Sequence, residues 1–253
     1  TFCVIPLHGE VGKTVVSGLL EDSLKDAASR KVDLVVLDVD SPGGAVAEAE
    51  DIIKVLRRYN RKLRIVTFAG QDLSAAAIIS LGTKEVYMRP GGIIGAATAY
   101  RMSVFGIPAE IEEKFQSVWR ATARSAAETG GHNPLIAEAM IDAEMELYWE
   151  EVNGRKVVRE GEARDAGENT ITTKGKLLTM TAGESFDCGL TEGIVSDYDE
   201  LCKACGFTRC TEVKALGKPL AEWWTGALEK IDEDINEIGR AYVDNMERAS
   251  DLI

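Results

Sequence analysis

The chain has 253 residues, of which 45% are hydrophobic and 28% charged, and it carries a net charge of -13. That length holds one large α/β domain with appendages rather than two generous domains. The composition is that of a soluble globular protein, and no apolar run approaches the roughly 20 residues that a membrane span needs. The acidity excludes nucleic acid and acidic partners, since a phosphate backbone must be met by clustered Lys and Arg.

In chain order, Phe2 to Leu7 and Asp33 to Val39 are short apolar runs that read as buried strands. Between them Val16, Leu19, Leu20 and Leu24 recur at helical spacing over Val15 to Ala28, so the first unit is strand, helix, strand, the signature of a parallel sheet. The pattern repeats with a helix over Ala45 to Tyr59, a strand at Leu63 to Phe68, a helix starting near Ser74 and a short strand at Glu85 to Met88. Beyond Ile94 to Thr98 the spacing predicts helices over Pro108 to Thr129 and Pro134 to Met145. A β-hairpin follows over Leu147 to Val158, with Asn153-Gly154 supplying the pair that a type I′ turn prefers. A strand at Lys176 to Thr179 and short helices at Ala182 to Asp187 and Tyr198 to Ala204 close the globular part.

From Pro219 onward Leu220, Trp224, Leu228, Ile231, Ile235, Ile238, Tyr242 and Met246 recur every three or four positions among many charges. This is a long amphipathic helix, packed back on its own domain or else a subunit contact or stalk. The division expected is therefore residues 1–210 for the α/β domain, with a hairpin insertion over about 147–180, and 211–253 for a helical extension. Thr1 reads as the start of a trimmed or mature chain. The five cysteines (Cys3, Cys188, Cys202, Cys205 and Cys210) frame neither a disulfide scaffold nor a zinc module. Cys202-Lys-Ala-Cys205 lacks a second CxxC, so both cysteines are expected in the core of a short helix.

Three segments carry chemistry. Asp40-Ser41-Pro42-Gly43-Gly44 follows a buried strand and precedes a helix, where glycines let the backbone approach a ligand and turn an N–H outward; the same residues are also good turn chemistry. Gly70-Gln71-Asp72-Leu73-Ser74-Ala75 sits at a second strand-to-helix junction. A serine there is exposed to attack a carbonyl while the next amide points at the developing oxyanion, although an N-cap serine has the same sequence. Lys114 flanks the apolar stripe Ile111, Phe115, Val118 and Trp119, with Arg120 and Arg124 on the solvated side. Its amine is expected to be partly buried, which would suit it to act as a base, whereas a lysine whose head snorkels into water is the bland alternative.

At these residues the chain resembles the superfamily of Clp protease, signal peptide peptidase A and crotonase. Ser41 to Gly44 and Gly70 to Ser74 are similar to the SPGG and GQAAS motifs of the Clp proteolytic subunit, in the same order. The resemblance is closer to the NfeD-type membrane-bound serine protease family, through Pro90 to Thr98 (PGxxIGAAT), Gly131-His132-Asn133 (GRN) and Leu177 to Glu184 (LLTLTAEEA), and it covers roughly residues 2 to 207. It implies a Clp/crotonase-like fold, a mostly parallel sheet of ββα-type repeats flanked by helices. By position it also implies a Ser74–Lys114 dyad and an oxyanion hole from the amides of Gly44 and Ala75. The Clp subunit uses a Ser-His-Asp triad, but no histidine lies between Ser74 and His132, so the implied base is a lysine. No metal or cofactor is required.

The implied function is a serine endopeptidase that cleaves polypeptides, including hydrophobic segments of membrane-associated proteins. It would work as a homo-oligomer, a dimer or larger, on an extracytoplasmic or periplasmic face, with membrane attachment through segments outside this chain. Two alternatives stand beside it. A crotonase-fold acyl-CoA enzyme would share the sheet and oxyanion hole without needing Ser74 and Lys114 together. A catalytically inactive oligomeric scaffold would use the C-terminal helix alone.

Overall fold

The computed structural model describes residues 1–102, 108–110, 112–165 and 167–250. Strands β1 (Phe2–His8), β2 (Leu34–Ser41), β3 (Ile65–Leu73) and β4 (Glu85–Gly95) lie side by side in that order, all parallel, joined by helices α1 (Ser17–Ser29), α2 (Val46–Tyr59) and α3 (Ala75–Leu81). Each of the first three strands is followed by a helix. The path continues through β5 (Tyr100–Met102), β6 (Pro108–Glu110), α4 (Glu113–Gly130) and α5 (Pro134–Ala139), then β7 (Leu147–Val152), β8 (Arg155–Glu160) and β9 (Asn169–Thr172). It closes with β10 (Thr179–Thr181), α6 (Ala182–Asp187), β11 (Gly193–Ile194), α7 (Tyr198–Ala204) and α8 (Gly217–Ser250). Strand β10 pairs β4 antiparallel and β11 pairs it parallel, which completes a mainly parallel six-stranded sheet.

Alternation along the strands sends side chains to opposite faces, and each face has its own core. Cys3, Ile5, Leu7, Val35, Leu37 and Val39 pack with Leu20, Leu24, Ile52, Leu56 and Ile78 of α1 to α3. Phe2, Val4, Leu34, Val36, Val66 and Phe68 pack instead with Leu201, Cys202 and Cys205 around α7. Cys202 and Cys205 are thus core residues, as their spacing suggested.

Several boundaries differ from the sequence reading. Strand β3 does not stop at Phe68: after an irregularity between Ala69 and Gln71 the ladder resumes, pairing Asp72 with Ser41 and Ile94, and Leu73 with Gly95. Gly70-Gln71, read as part of the strand-to-helix junction, is a bulge that carries the strand on to Ser74. Helix α4 starts at Glu113, five residues later than expected, because Pro108–Glu110 pairs antiparallel with Tyr100–Met102. Pro108 opens that ribbon strand, a position where its missing N–H is tolerated. Helix α5 stops at Ala139, with Met140 as its C-cap. The strand expected at Lys176 to Thr179 lies two to three residues later, where it can pair with β4.

Strands β7 and β8 pair antiparallel across Asn153 (φ 53°) and Gly154 (φ 76°), and β9 adds to β7. Two consecutive left-handed residues match the right-handed twist of the flanking strands.

Candidate active site

Strand β3 delivers the chain to Ser74 in an uncommon conformation, φ 56° and ψ -129°. A non-glycine residue held there is strained, and the strain persists only where the surroundings impose it. Ser74 N donates to Gly95 O at 2.8 Å, and Ser74 O accepts from Ala77 N at 3.1 Å. The next residue, Ala75, is buried at the first position of α3. The side chain of Ser74 caps nothing, which removes the N-cap explanation. A sharp strand-to-helix turn of this kind throws a hydroxyl out of the backbone into open space.

The Ser41 to Gly44 loop lies directly against that hydroxyl. A methyl group added to Gly43 (φ 93°) would sit 2.3 Å from Ser74 Cβ and 2.9 Å from its Oγ, so only glycine fits. The loop is clamped from the other side by residues that sequence reasoning did not single out. Val11 N donates to Gly43 O (2.8 Å) and Ala45 N donates to Val11 O (2.8 Å), while Ser41 Oγ donates to Gly9 O (2.6 Å) and accepts from Gly43 N (3.1 Å). Gly44 (φ 150°) leaves no room for a side chain, whose Cβ would lie 2.2 Å from Val11 O. Among the described residues Gly44 N–H has no hydrogen-bond partner. The amide of Ala75 is one of the orphan donors of a helix start.

Ser74 and Gly44 line a cavity of about 950 Å³ whose walls are largely apolar, including Leu73, Val46, Ala97, Phe115, Val118 and Trp119. Its far wall, Ala96 to Tyr100, is tied to α4 and α5. Trp119 Nε1 donates to Ala97 O (2.8 Å), Gln116 Nε2 to Ala99 O (2.8 Å), and Ala97 N to Met140 O (2.6 Å). Glu10 and Glu50 are the acidic residues on the lining.

Lys114 does not have the partial burial expected of it. It is exposed on the first turn of α4, its Nζ 5.8 Å from the Phe115 ring centroid. The buried stripe of α4 is Trp119, Ala123, Ala126, Ala127 and Gly130. At 100° per residue Lys114 lies about half a turn from Ala123, on the far side. Phe115 and Val118, members of the apolar stripe read from the sequence, are each 55% exposed along the cavity, and Ile111 falls outside the described residues. Arg120 is more covered than its assignment to the solvated face implied, because it pairs with Glu113 and lies 3.8 Å from Asp142.

The other ionisable groups are held structurally. His132 is half-buried, with Nε2 2.7 Å from Thr83 O, and desolvation lowers its pKa. On the opposite face of the sheet, Asp38 binds His8 (3.4 Å), Tyr198 Oη (2.6 Å) and Arg89 (2.7 Å), and Arg89 stacks 3.9 Å over Phe68. Burial would raise the pKa of Asp38, but these three partners outweigh it and hold the group down to about 2. Asp72, two residues before Ser74, is fully buried with neither oxygen hydrogen-bonded among the described residues; burial pushes it up to about 7, against a weaker effect of Ser80. Among the described residues no cluster of His, Cys, Asp and Glu is arranged to hold a metal ion.

Comparison with known proteins agrees with this architecture. Residues 1–159 match the family model described as the NfeD1b N-terminal domain. The chain is 29% identical over 229 residues to membrane protein NfeD1b of Bacillus subtilis, covering 89% of this chain and 46% of that protein. It is 28% identical over 169 residues to membrane-bound protease PH1510 of Pyrococcus horikoshii, covering 61% of this chain and 37% of that one. The chain therefore spans less than half the length of these relatives.

Among solved structures, a serine-to-alanine mutant of the 1510-N membrane-bound stomatin-specific protease superposes with a TM-score of 0.62 at 19% identity, covering 80% of this chain and 83% of that one. A lysine-to-alanine mutant of the same protease in complex with a substrate peptide gives the same score and identity, covering 80% and 78%. The relatives are named as membrane proteins, while no described helix of this chain is long and apolar enough to cross a membrane. With a family model matching well over half of its residues, the chain belongs to the NfeD1b N-terminal domain family.

Proposed function

We propose that this domain is a serine endopeptidase of the Clp/crotonase type, with Ser74 as nucleophile and Lys114 as general base. The observation that carries the reading is the strained, uncapped Ser74 held against Gly43 at the edge of an apolar cavity. Lys114 Nζ accepts the proton of Ser74 Oγ as the oxygen attacks a peptide carbonyl. The C–N bond then breaks with that proton going to the leaving amine, and the same lysine activates the water that releases the acyl group. The Gly44 and Ala75 amides receive the oxyanion, each donor supplying on the order of 3 kcal/mol. Because Lys114 stands in water on the first turn of α4, beside Phe115 on the cavity wall, the base role requires that turn to close over bound substrate and exclude water.

The apolar lining suits an extended hydrophobic segment, which on a membrane-linked protein means substrates drawn from membrane-associated partners. The side of the membrane is extracytoplasmic in this reading. The test is cleavage of apolar peptides by the parent chain, Ser74→Ala and Lys114→Ala. Both variants are expected to lose at least about 10³-fold in kcat/KM while keeping the parental unfolding temperature. Parental rates in Ser74→Ala would overturn the nucleophile, and parental rates in Lys114→Ala alone would overturn the base.

A further inference from the structure

The last element, α8, is a 34-residue helix whose residues from Glu229 to Val243 are all exposed. Trp224 Nε1 donates to Lys13 O at 2.7 Å, Lys13 Nζ lies 3.5 Å from Asp232, and Leu228 is half-buried. Beyond that point the large apolar residues stand in solvent, with Ile231, Ile235, Ile238 and Tyr242 between 50% and 69% exposed. An isolated helix with a bare apolar stripe gains little stability by itself; in proteins the stripe is covered.

The spacing of that stripe is informative about what covers it. Trp224, Leu228, Ile231, Ile235, Ile238 and Tyr242 are separated by 4, 3, 4, 3 and 4 residues, a strict heptad seam with Leu228, Ile235 and Tyr242 at a and Trp224, Ile231 and Ile238 at d. The alternation of 4 and 3 is that of an a/d seam, the face that a partner helix covers by knobs-into-holes packing. The flanking positions select a partner. In a parallel, in-register pair, residue g faces e of the next heptad on the neighbour, which sets Ala227 against Asp232 and Asp234 against Gly239. No two carboxylates meet across the seam, although the helix is strongly acidic; Glu229, Glu233 and Glu237 all fall at outer positions. Ala227, Gly239 and Ala241 beside the seam also let backbones approach. Isoleucine at d favours three or four strands over two.

We propose that α8 joins copies of this chain into a parallel helical bundle through the seam Leu228, Ile231, Ile235, Ile238 and Tyr242, placing several Ser74 cavities on one stalk. The assembly is independent of the peptidase reading. It is tested by light scattering or sedimentation of the chain over a concentration series. The expected mass is three or four chains, falling to one chain in Ile231→Asp/Ile238→Asp and unchanged in the outer-face control Glu233→Ser. Both seam residues are exposed, so unfolding of the domain itself should be unaltered, and this is checked by circular dichroism. Ile235→Cys adds a direction test. Oxidation should cross-link that variant to itself, as only an in-register parallel seam allows, while the parent with its five native cysteines does not cross-link. A monomer at every concentration, or an assembly that both aspartates leave intact, would overturn the proposal.

Discussion

Two polar sites sit at the C-terminal ends of the parallel strands, on opposite faces of one sheet, and they differ in how their reactive groups are satisfied. Around Asp38 every group has a partner: His8, Tyr198 and Arg89 converge on one carboxylate, and Arg89 is further fixed by the Phe68 ring and by Phe68 O at 3.2 Å. At Ser74 the opposite holds, with a strained backbone, an uncapped hydroxyl, free amides nearby and an open cavity. A histidine beside an aspartate is the more suggestive pair on paper. A fully bonded cluster, however, has its electrostatic energy committed to the folded state, whereas unpaired groups held rigidly by their surroundings keep theirs for a ligand.

The largest effects should fall on the Ser74 side. Ser74→Ala removes the proposed nucleophile and should lower kcat by about 10⁴-fold or more, with no loss of stability in thermal unfolding. Gly43→Ala drives a methyl group to 2.3 Å from Ser74 Cβ and 2.7 Å from Leu73 O. The loop must shift, and a displaced oxyanion donor costs about 10²- to 10³-fold in kcat. If Gly43→Ala retained parental activity, the contact between loop and nucleophile would have no catalytic meaning.

On the other face the effects should be on stability. Arg89→Ala leaves Asp38 buried without its cation and should cost about 2–3 kcal/mol in denaturant unfolding near neutral pH, with kcat unchanged. The pH dependence follows from the lowered pKa of Asp38. Its contribution is present above the ordinary value of 3.8 and fades as pH falls through about 2, so parent and Asp38→Asn should converge over that range. Asp72 has the opposite sign. Its folded pKa is raised to about 7, so the folded state binds the proton more tightly, and the parent should lose stability as pH rises from 3.8 to 7. Asp72→Asn should be flatter across that window and more stable than the parent by on the order of 4 kcal/mol at pH 8.

The smallest effect separates the two regions most cleanly. His8→Ala should leave kcat/KM within about twofold and cost no more than about 1 kcal/mol, as expected of a half-exposed pair. A loss comparable to that of Ser74→Ala would collapse the contrast.

Much of this arrangement was legible in the sequence. The β-α-β succession over residues 2–95 follows from apolar periodicity, and the SPGG-like loop and Ser74 stand out because each lies at a strand-to-helix junction. What could not be read there depends on tertiary contacts. Nothing local signals that Val11 clamps the loop, that Gln71 to Leu73 continue β3 past a bulge, or that Ser74 has φ 56° instead of a capping conformation. The expected partial burial of Lys114 was not met for a related reason. The stripe Phe115, Val118 and Trp119 is apolar, but all three line a cavity and only Trp119 is also buried, while the rest of the core side of α4 is made of alanines and a glycine whose small size hides the periodicity.

The central claim is that Ser74 is an activated nucleophile rather than a strained structural serine. Treatment with a fluorophosphonate probe, followed by peptide mapping by mass spectrometry, tests it most directly. The account predicts a single adduct on Ser74, formed in the parent, absent from Ser74→Ala and markedly slowed in Lys114→Ala. No adduct on Ser74 under conditions that label a known serine hydrolase, or labelling at the same rate in Lys114→Ala, would contradict it.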